Sequence, residues 1–431
     1  MTQPTTPSHT AFRYMTRFHC IGGDCEATCC AGGWNITVDK DHYESAKRAM
    51  STHPATRQEF DEKFRRVKDP AHKTRNYALM VLQNNGACTF FGEDRLCNLQ
   101  QRYGESVLPD TCAIYPRTLA VSGGRKEQTG LTSCPEVSRQ LLLYEDAMDL
   151  VEVSPESLGR HHVLVQLEAH PKLPYVRYHD ELRNLMMDLL SDQLYPLRTR
   201  LGFLAYFGYR TQSFLGRDNK QPLDEERLLL EVERIQDPAL RAELHKQFGA
   251  LEIDPVFATR VVYTLVKARS RVSAFGKLLQ DVLAGYSPPG TEAAAQSESA
   301  PVQAMLQGYL KQKEHWAPFA SRIDRYFANY AKNYWAREWY VGSPDLLTHT
   351  IQLLTRLCVL RFMLLGHPLL IAAANAPEPE RALALDKAVV ETVFTFSRSF
   401  EHDGQFIKHL KEQLAASNLI TLAHASCLIS F

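Results

Sequence analysis

The sequence predicts a mainly α fold, an irregular cysteine-rich metal module at the amino end packed on an α-helical body, on three observations. Eight of the ten cysteines lie before residue 135. The same stretch is broken by glycine turns and shows no sustained strand alternation. After Pro135 apolar residues recur three and four apart, the period of amphipathic helices.

The chain has 431 residues, room for two or three domains at about 100–200 residues each. Lys plus Arg and Asp plus Glu both number 49, so no net positive field is present to hold a nucleic acid or an anionic membrane. With 45% hydrophobic and 23% charged residues, the composition is that of a folded globular protein. The opening residues MTQPTTPSHTAFRYM have no basic start followed by an apolar run, so a cytoplasmic location is expected.

Residues 1–140 form the expected cysteine-rich module. Its turn pairs are Gly22-Gly23, Gly32-Gly33, Asn84-Asn85-Gly86 and Gly123-Gly124, and helices are expected within Thr37–Met50 and Leu96–Tyr103. A helical domain follows at 141–286, with stretches such as YHDELRNLMMDLL and DEERLLLEVERI. Residues 287–301, rich in Pro, Ser, Ala and Glu, read as a linker or long loop. A C-terminal helical domain occupies 302–431. In it, Gln303–Trp339 gives one or two helices, and Ser343-Pro344-Asp345 starts another with a capping hydroxyl and a first-turn proline. Arg356 and Arg361 interrupt the apolar run Leu346–Leu365 before Gly366-His367-Pro368 stops it, short of the roughly 18 uncharged residues of a membrane span. No stable membrane insertion is expected. Glu380–Leu414 reads as two helices separated near Asp403-Gly404.

Clustered thiols in a reducing compartment hold metal more often than they form disulfides. The densest string, FHCIGGDCEATCCAGGW, has the spacing C-x4-C-x3-C-C, followed by Cys88-x8-Cys97, Cys112 and Cys134. The metal candidates are therefore Cys20, Cys25, Cys29, Cys30, Cys88, Cys97, Cys112 and Cys134. Four thiolates suit a zinc ion or one iron-sulfur cluster. The absence of C-x2-C knuckles, with the pair Cys134-Pro135, tilts the choice toward iron-sulfur. Adjacent Cys29 and Cys30 point about 100° apart in a helix, so either one ligates while the other packs or they serve two centres. Cys358 and Cys427 read as buried small hydrophobes.

Several strings resemble the flagellin lysine N-methylase family: CIGGDCEATCCAGGWNITVD, LCNLQQRYGESVLPDTCAIYPR and LTSCPEVSRQLLL, with RYFANYAKNYWAREWY and TFSRSFEHDGQFIKHL further on. The resemblance implies a protein lysine N-methyltransferase that uses S-adenosylmethionine, carries a [4Fe-4S] cluster and acts on flagellin, with zinc as the alternative metal. No glycine-rich turn after a strand marks a cofactor site, and position 32 of the chain is Gly where a C-x3-C-x2-C triplet would need a third cysteine. The alternative reading is a non-enzymatic iron-sulfur or zinc protein for electron transfer or partner docking.

A lysine ammonium, with a pKa of about 10.4, must lose a proton before it attacks a methyl group. A carboxylate, tyrosine or histidine beside it serves that need. The catalytic candidates within the family-like strings are Tyr115, Arg117, Glu401 and His402, with Glu136 after Cys134-Pro135. The cofactor-binding candidates are Trp34, Tyr330, Asn333 and Arg398. Each has a structural counterpart. Arg398, Glu401 and His402, on one face of a helix, form an ion pair that pins two helices; Tyr326, Tyr330 and Tyr334 are core; Trp34 shields the metal.

Overall fold

A computed structural model describes residues 9–68, 76–122, 124–160, 163–168, 172–219, 222–251, 255–269, 273–286, 300–402 and 419–431. The chain divides into two compact units. One comprises Met1–Gln140 with Asp149–Gln166, the other Leu141–Met148 with Leu167–Phe431.

The first unit departs from the expected irregular module without sustained strands by containing sheet. Strands β1 (His9–Phe12), β2 (Thr37–Val38), β3 (Phe64–Arg66), β4 (Ala78–Met80), β5 (Arg117–Ser122), β6 (Arg125–Gly130), β7 (Leu150–Val153) and β8 (Val163–Gln166) form two sheets, ordered β7-β1-β6-β5-β8 and β2-β4-β3. β6 hid because its sequence, RKEQTG, lacks apolar alternation. It is nonetheless central, parallel to β1 and antiparallel to β5, and its Glu127, Gln128 and Thr129 are buried. Buried polar groups persist where they find partners. Thr129 meets Thr118 hydroxyl to hydroxyl at 2.6 Å, and Gln128 donates to the Leu158 carbonyl at 3.1 Å. Of the expected Gly123-Gly124 turn pair, Gly124 precedes β6 at φ 84°, and Gly123 lies outside the described residues.

Helices α1 (Lys40–Met50) and α2 (Pro54–Lys63) cover a core of Ile36, Val38, Tyr43, Phe60, Phe64 and Phe90. Thr37–Val38 is a strand rather than the first turn of α1, because Asp39 is the cap, its carboxylate accepting from the His42 backbone N–H at 3.0 Å. The helix expected within Leu96–Tyr103 is Asn98–Tyr103. Helix α3 (Pro135–Leu142) begins immediately after Cys134.

The second unit is helical among its described residues. It includes α4 (His179–Ser191), α5 (Leu197–Thr211), α6 (Glu225–Gln236), α7 (Ala320–Arg337), α8 (Leu346–Leu365) and α9 (Glu378–Phe400). Helix α8 is buried almost all round. It lies so close to α5 that a Cβ on Gly208 would meet the Leu347 backbone at 2.8 Å. Its cap is Asp345, which accepts from the Thr348 N–H at 2.7 Å. Ser343, expected to cap it, instead meets His349 Nδ1 at 3.1 Å. Gln303–Trp339 resolves into Ala300–His315 and α7. The helix expected after Asp403-Gly404 falls largely on 403–418, and the expected linker on 287–299, both outside the described residues. Among the described residues no helix is long and apolar enough to cross a membrane.

Candidate functional site

The first unit gathers the eight candidate cysteines into two groups. Thr28 Oγ1 caps the short turn Cys29–Ala31 by accepting from the Cys30 N–H at 3.2 Å. That turn brings the adjacent thiols together rather than splaying them. The Cys29 hydrogen bond to Cys30, then burial, then the charges of Cys29, Cys97 and Cys112 push the Cys30 thiol far up. The Cys88 N–H donates to the Cys30 carbonyl at 2.7 Å, which seats the second string beside the first. Burial raises the Cys88 thiol; the Phe90 N–H, which reaches its Sγ at 3.5 Å, lowers it in part, and Cys97 and Cys29 raise it further. Cys112 is exposed as a residue, yet the atoms packed around its sulfur, then Cys88, Cys97 and Cys29, raise its thiol. Five sulfurs, of Cys29, Cys30, Cys88, Cys97 and Cys112, thus share one neighbourhood. Lys63 and Arg102 bring positive charge to its edge through Cys88 and Cys97.

Cys20, Cys25 and Cys134 form the second group. Burial pushes the Cys134 thiol up to about 12 against the lowering effect of the Val137 and Glu136 N–H groups, while Cys25 and Cys20 raise it further. Those two N–H groups open α3, where the helix end favours negative charge on sulfur. Cys20 Sγ likewise accepts the Gly22 N–H at 3.4 Å. Arg139 ties the loops together by pairing with Glu26 at 2.5 Å and with Glu136. Glu136, a candidate base, is therefore held by an ion pair and by Gln140 Nε2 at 2.7 Å.

Trp34 and Tyr115 join the two groups. Trp34 Nε1 donates to the Cys29 carbonyl at 2.9 Å and its ring meets that of Tyr115 at 5.8 Å. The Tyr115 hydroxyl meets Ser133 Oγ, beside Cys134, at 3.1 Å. Arg117 places its guanidinium 5.2 Å from the Phe18 ring, two residues before Cys20. Trp34, Tyr115 and Arg117, with Glu136, thus lie around the thiols. Among the described residues no three cysteine sulfurs lie within 4.8 Å of one another; the cluster that does is Asp39, His42 and Asp110. By contrast Cys358 donates its thiol to the Leu428 carbonyl at 3.1 Å in the second unit.

The second unit builds a buried charge cluster at the carboxyl end of α9. The helix stops at Phe400, so Glu401 is its cap and His402 lies beyond, rather than both continuing the helical face of Arg398. Glu401 accepts from the Tyr330 hydroxyl at 2.6 Å and from Arg337 at 3.0 Å, with both charged side chains under 8% exposed. Burial pushes the Glu401 carboxyl up, but Arg337 and Arg356, with the Tyr330 and Arg337 hydrogen bonds, hold it below the usual range. His402 is exposed as a residue, but packing around its ring lowers its pKa; Glu401 opposes this, and Arg337 and Arg398 add to it.

Sequence reasoning missed Arg337 and the positive charge supplied by Arg356, although the interruption of an apolar run by Arg356 was the signal. Arg356 is buried, donates to the Gln352 carbonyl at 3.0 Å and lies 4.9 Å from the Tyr334 ring. Tyr326 bonds Asp386, and Tyr334 donates to the His349 carbonyl at 3.3 Å. The tyrosine stripe is thus core with bonded hydroxyls. Asn333 is buried in it, and Arg398 stacks 5.6 Å over Phe394. Among the described residues, Trp335 Nε1, Arg337 Nε and Gln352 Nε2 are buried donors without an acceptor.

The model of the FliB lysine N-methylase C-terminal domain matches residues 183–428, which include the whole of this charge cluster. The chain belongs to the FliB lysine N-methylase family. It is 31% identical over 153 residues to the flagellar biosynthetic protein FliU of Salmonella muenchen, across 35% of this chain and 85% of that one. It is 29% identical over 153 residues to the lysine-N-methylase of Salmonella typhimurium strain LT2, across 32% of this chain. The lysine-N-methylase of Salmonella choleraesuis strain SC-B67 gives the same identity. The match spans 33% of the length of each of these two lysine-N-methylases. No solved structure matches the chain.

Proposed function

We propose that this chain is a protein lysine N-methyltransferase that acts on flagellin with S-adenosylmethionine and holds a [4Fe-4S] cluster in its first unit. The observation that carries the reading is the buried Tyr330–Glu401–Arg337 group with His402 beside it, inside the region matched by the family model. S-adenosylmethionine supplies a sulfonium methyl group, which the lysine nitrogen takes as its C–S bond breaks and a thioether leaves. Before that step the ammonium must give up its proton. Its lowered pKa leaves His402 neutral near pH 7 and able to accept that proton, while Glu401, fixed by Arg337 and Tyr330, anchors the segment that carries it. The orphaned donors of Trp335, Gln352 and Arg337, with Arg356, fit the carboxylate of the cofactor, and Tyr330, Asn333 and Arg398 are proposed to line its place.

The five-sulfur group fits a cluster held by four thiolates, with Cys29 and Cys30 as alternatives for one place. A closed zinc tetrahedron, with Zn–S bonds of about 2.3 Å, sets its sulfurs about 3.8 Å apart. Thiolates alone suit either centre, and the pair Cys134-Pro135 with no C-x2-C knuckle favours a cluster over zinc. Cys20, Cys25 and Cys134 remain ligand candidates for a second centre. Trp34 and Tyr115 shield the sulfurs, and Arg117 braces the Phe18–Cys20 segment.

Flagellin incubated with the chain and labelled S-adenosylmethionine should gain label in lysine. His402→Ala should lower kcat about a hundredfold or more. Label absent from lysine, or transfer unaffected by His402→Ala and Glu401→Gln alike, would overturn the reading.

A further inference from the structure

Helices α4 and α6 both pack on α5 and leave a groove of about 370 Å³ between them. Its floor is apolar, built from Leu185, Leu228 and Val232, and Leu229 stands on the rim 61% exposed. Glu181 and Asp188 edge it from α4. They are seven residues apart, two helical turns or about 10 Å along the axis. No Lys, Arg or His lines the groove, and neither carboxylate meets a cation among the described residues. Glu225, at the start of α6, differs in being held by Arg177 at 3.3 Å.

We infer that this groove docks a lysine-bearing amphipathic helix of the protein substrate, its apolar face on the leucines and two lysines seven apart opposite Glu181 and Asp188. An apolar floor alone accepts any amphipathic helix. The two carboxylates without cations select a basic edge and disfavour an acidic one, since a like charge placed there repels. The groove lies on helices that carry none of the candidate bases, so it is assigned to substrate capture rather than chemistry. This inference rests on the reading that the chain modifies a lysine-bearing protein, and its test does not use turnover.

The test is fluorescence anisotropy with the full chain and a labelled amphipathic peptide of about five helical turns, carrying lysines seven apart on one edge, with no cofactor added. The chain should bind it, and E181Q/D188Q should weaken binding about three- to tenfold, the size of one or two exposed charge pairs. Replacing both peptide lysines by glutamine should weaken binding equally, and combining the two changes should add little further. Leu229→Ser, exposed and harmless to folding, should weaken the lysine and glutamine peptides alike. Absence of binding, or affinity untouched by E181Q/D188Q, would overturn the inference. So would a lysine-independent self-association of the chain that Leu229→Ser abolishes. A chain that binds but transfers no methyl group would contradict the proposed activity alone, and one that methylates flagellin without binding here would contradict the groove alone.

Discussion

Glu401 shows how one side chain couples fold to chemistry. It compensates buried Arg337 and takes the Tyr330 hydroxyl, so Glu401→Gln leaves that guanidinium with only the more exposed Glu338, 3.2 Å away, as its charge partner. Removing one member of a buried pair costs about 3–5 kcal/mol, which urea unfolding should show at neutral pH. The pH sign follows from its lowered pKa. The stabilisation is full above the unfolded glutamate value of about 4.3 and is lost as pH falls through the lower folded value. The variant should therefore lose the acid-induced drop that the native chain shows there. Glu401 and His402 stood out in the sequence because their segment carries several polar groups together. Arg337 did not, since a partner 64 residues away is fixed by packing and leaves no local pattern. Around the thiols the informative residue is Gly32, where a Cβ would stand 2.6 Å from the Trp34 ring. Gly32→Ala should displace Trp34 and lower the metal content of the purified protein, as metal analysis would show; metal content equal to the native chain would remove Trp34 as a shield.

At the level of elements, apolar periodicity located helices well and strands poorly. α8 was legible because Leu346–Leu365 is rich in leucine and other apolar residues, with Arg356 and Arg361 the only charged interruptions, and Gly366-His367-Pro368 stops it. β6 was not, because a central strand with bonded polar side chains carries no alternation to read. Elements are also joined by charge. Glu59 on α2 pairs with Lys63 at 2.8 Å and with Arg102 of the Asn98–Tyr103 helix at 2.7 Å, next to the five-sulfur group. The Arg102 hydrogen bond, partly offset by burial and joined by Lys63, holds the Glu59 carboxyl at about 2. Its contribution is present above the ordinary carboxyl range and fades as pH falls toward 2. After solvent screening, Glu59→Gln should cost about 1–2 kcal/mol at pH 7 and nothing below pH 2, read from urea unfolding at both values. An equal loss at both would show that the network acts through packing alone.

For the whole molecule, the candidate cysteines and the charge cluster fall in different compact units, the first of them built with sheet. The cysteines were visible as a set from their spacing, yet their sorting into five and three depends on Trp34, Tyr115 and Arg139, which bring together loops up to 113 residues apart and which no local spacing encodes. The matched family region holds the charge cluster, and the sulfur sites lie ahead of it in the chain. Metal loss and loss of transfer should therefore be separable. A Cys88→Ser chain should lose iron, whereas Cys358→Ala, which alters a packed thiol, should keep it. The most direct measurement is the iron, sulfide and zinc content of the native chain purified without oxygen. Iron and sulfide in equal amounts, lost together in Cys88→Ser, are what the account predicts. A folded chain that holds zinc, or no metal at all, would contradict it.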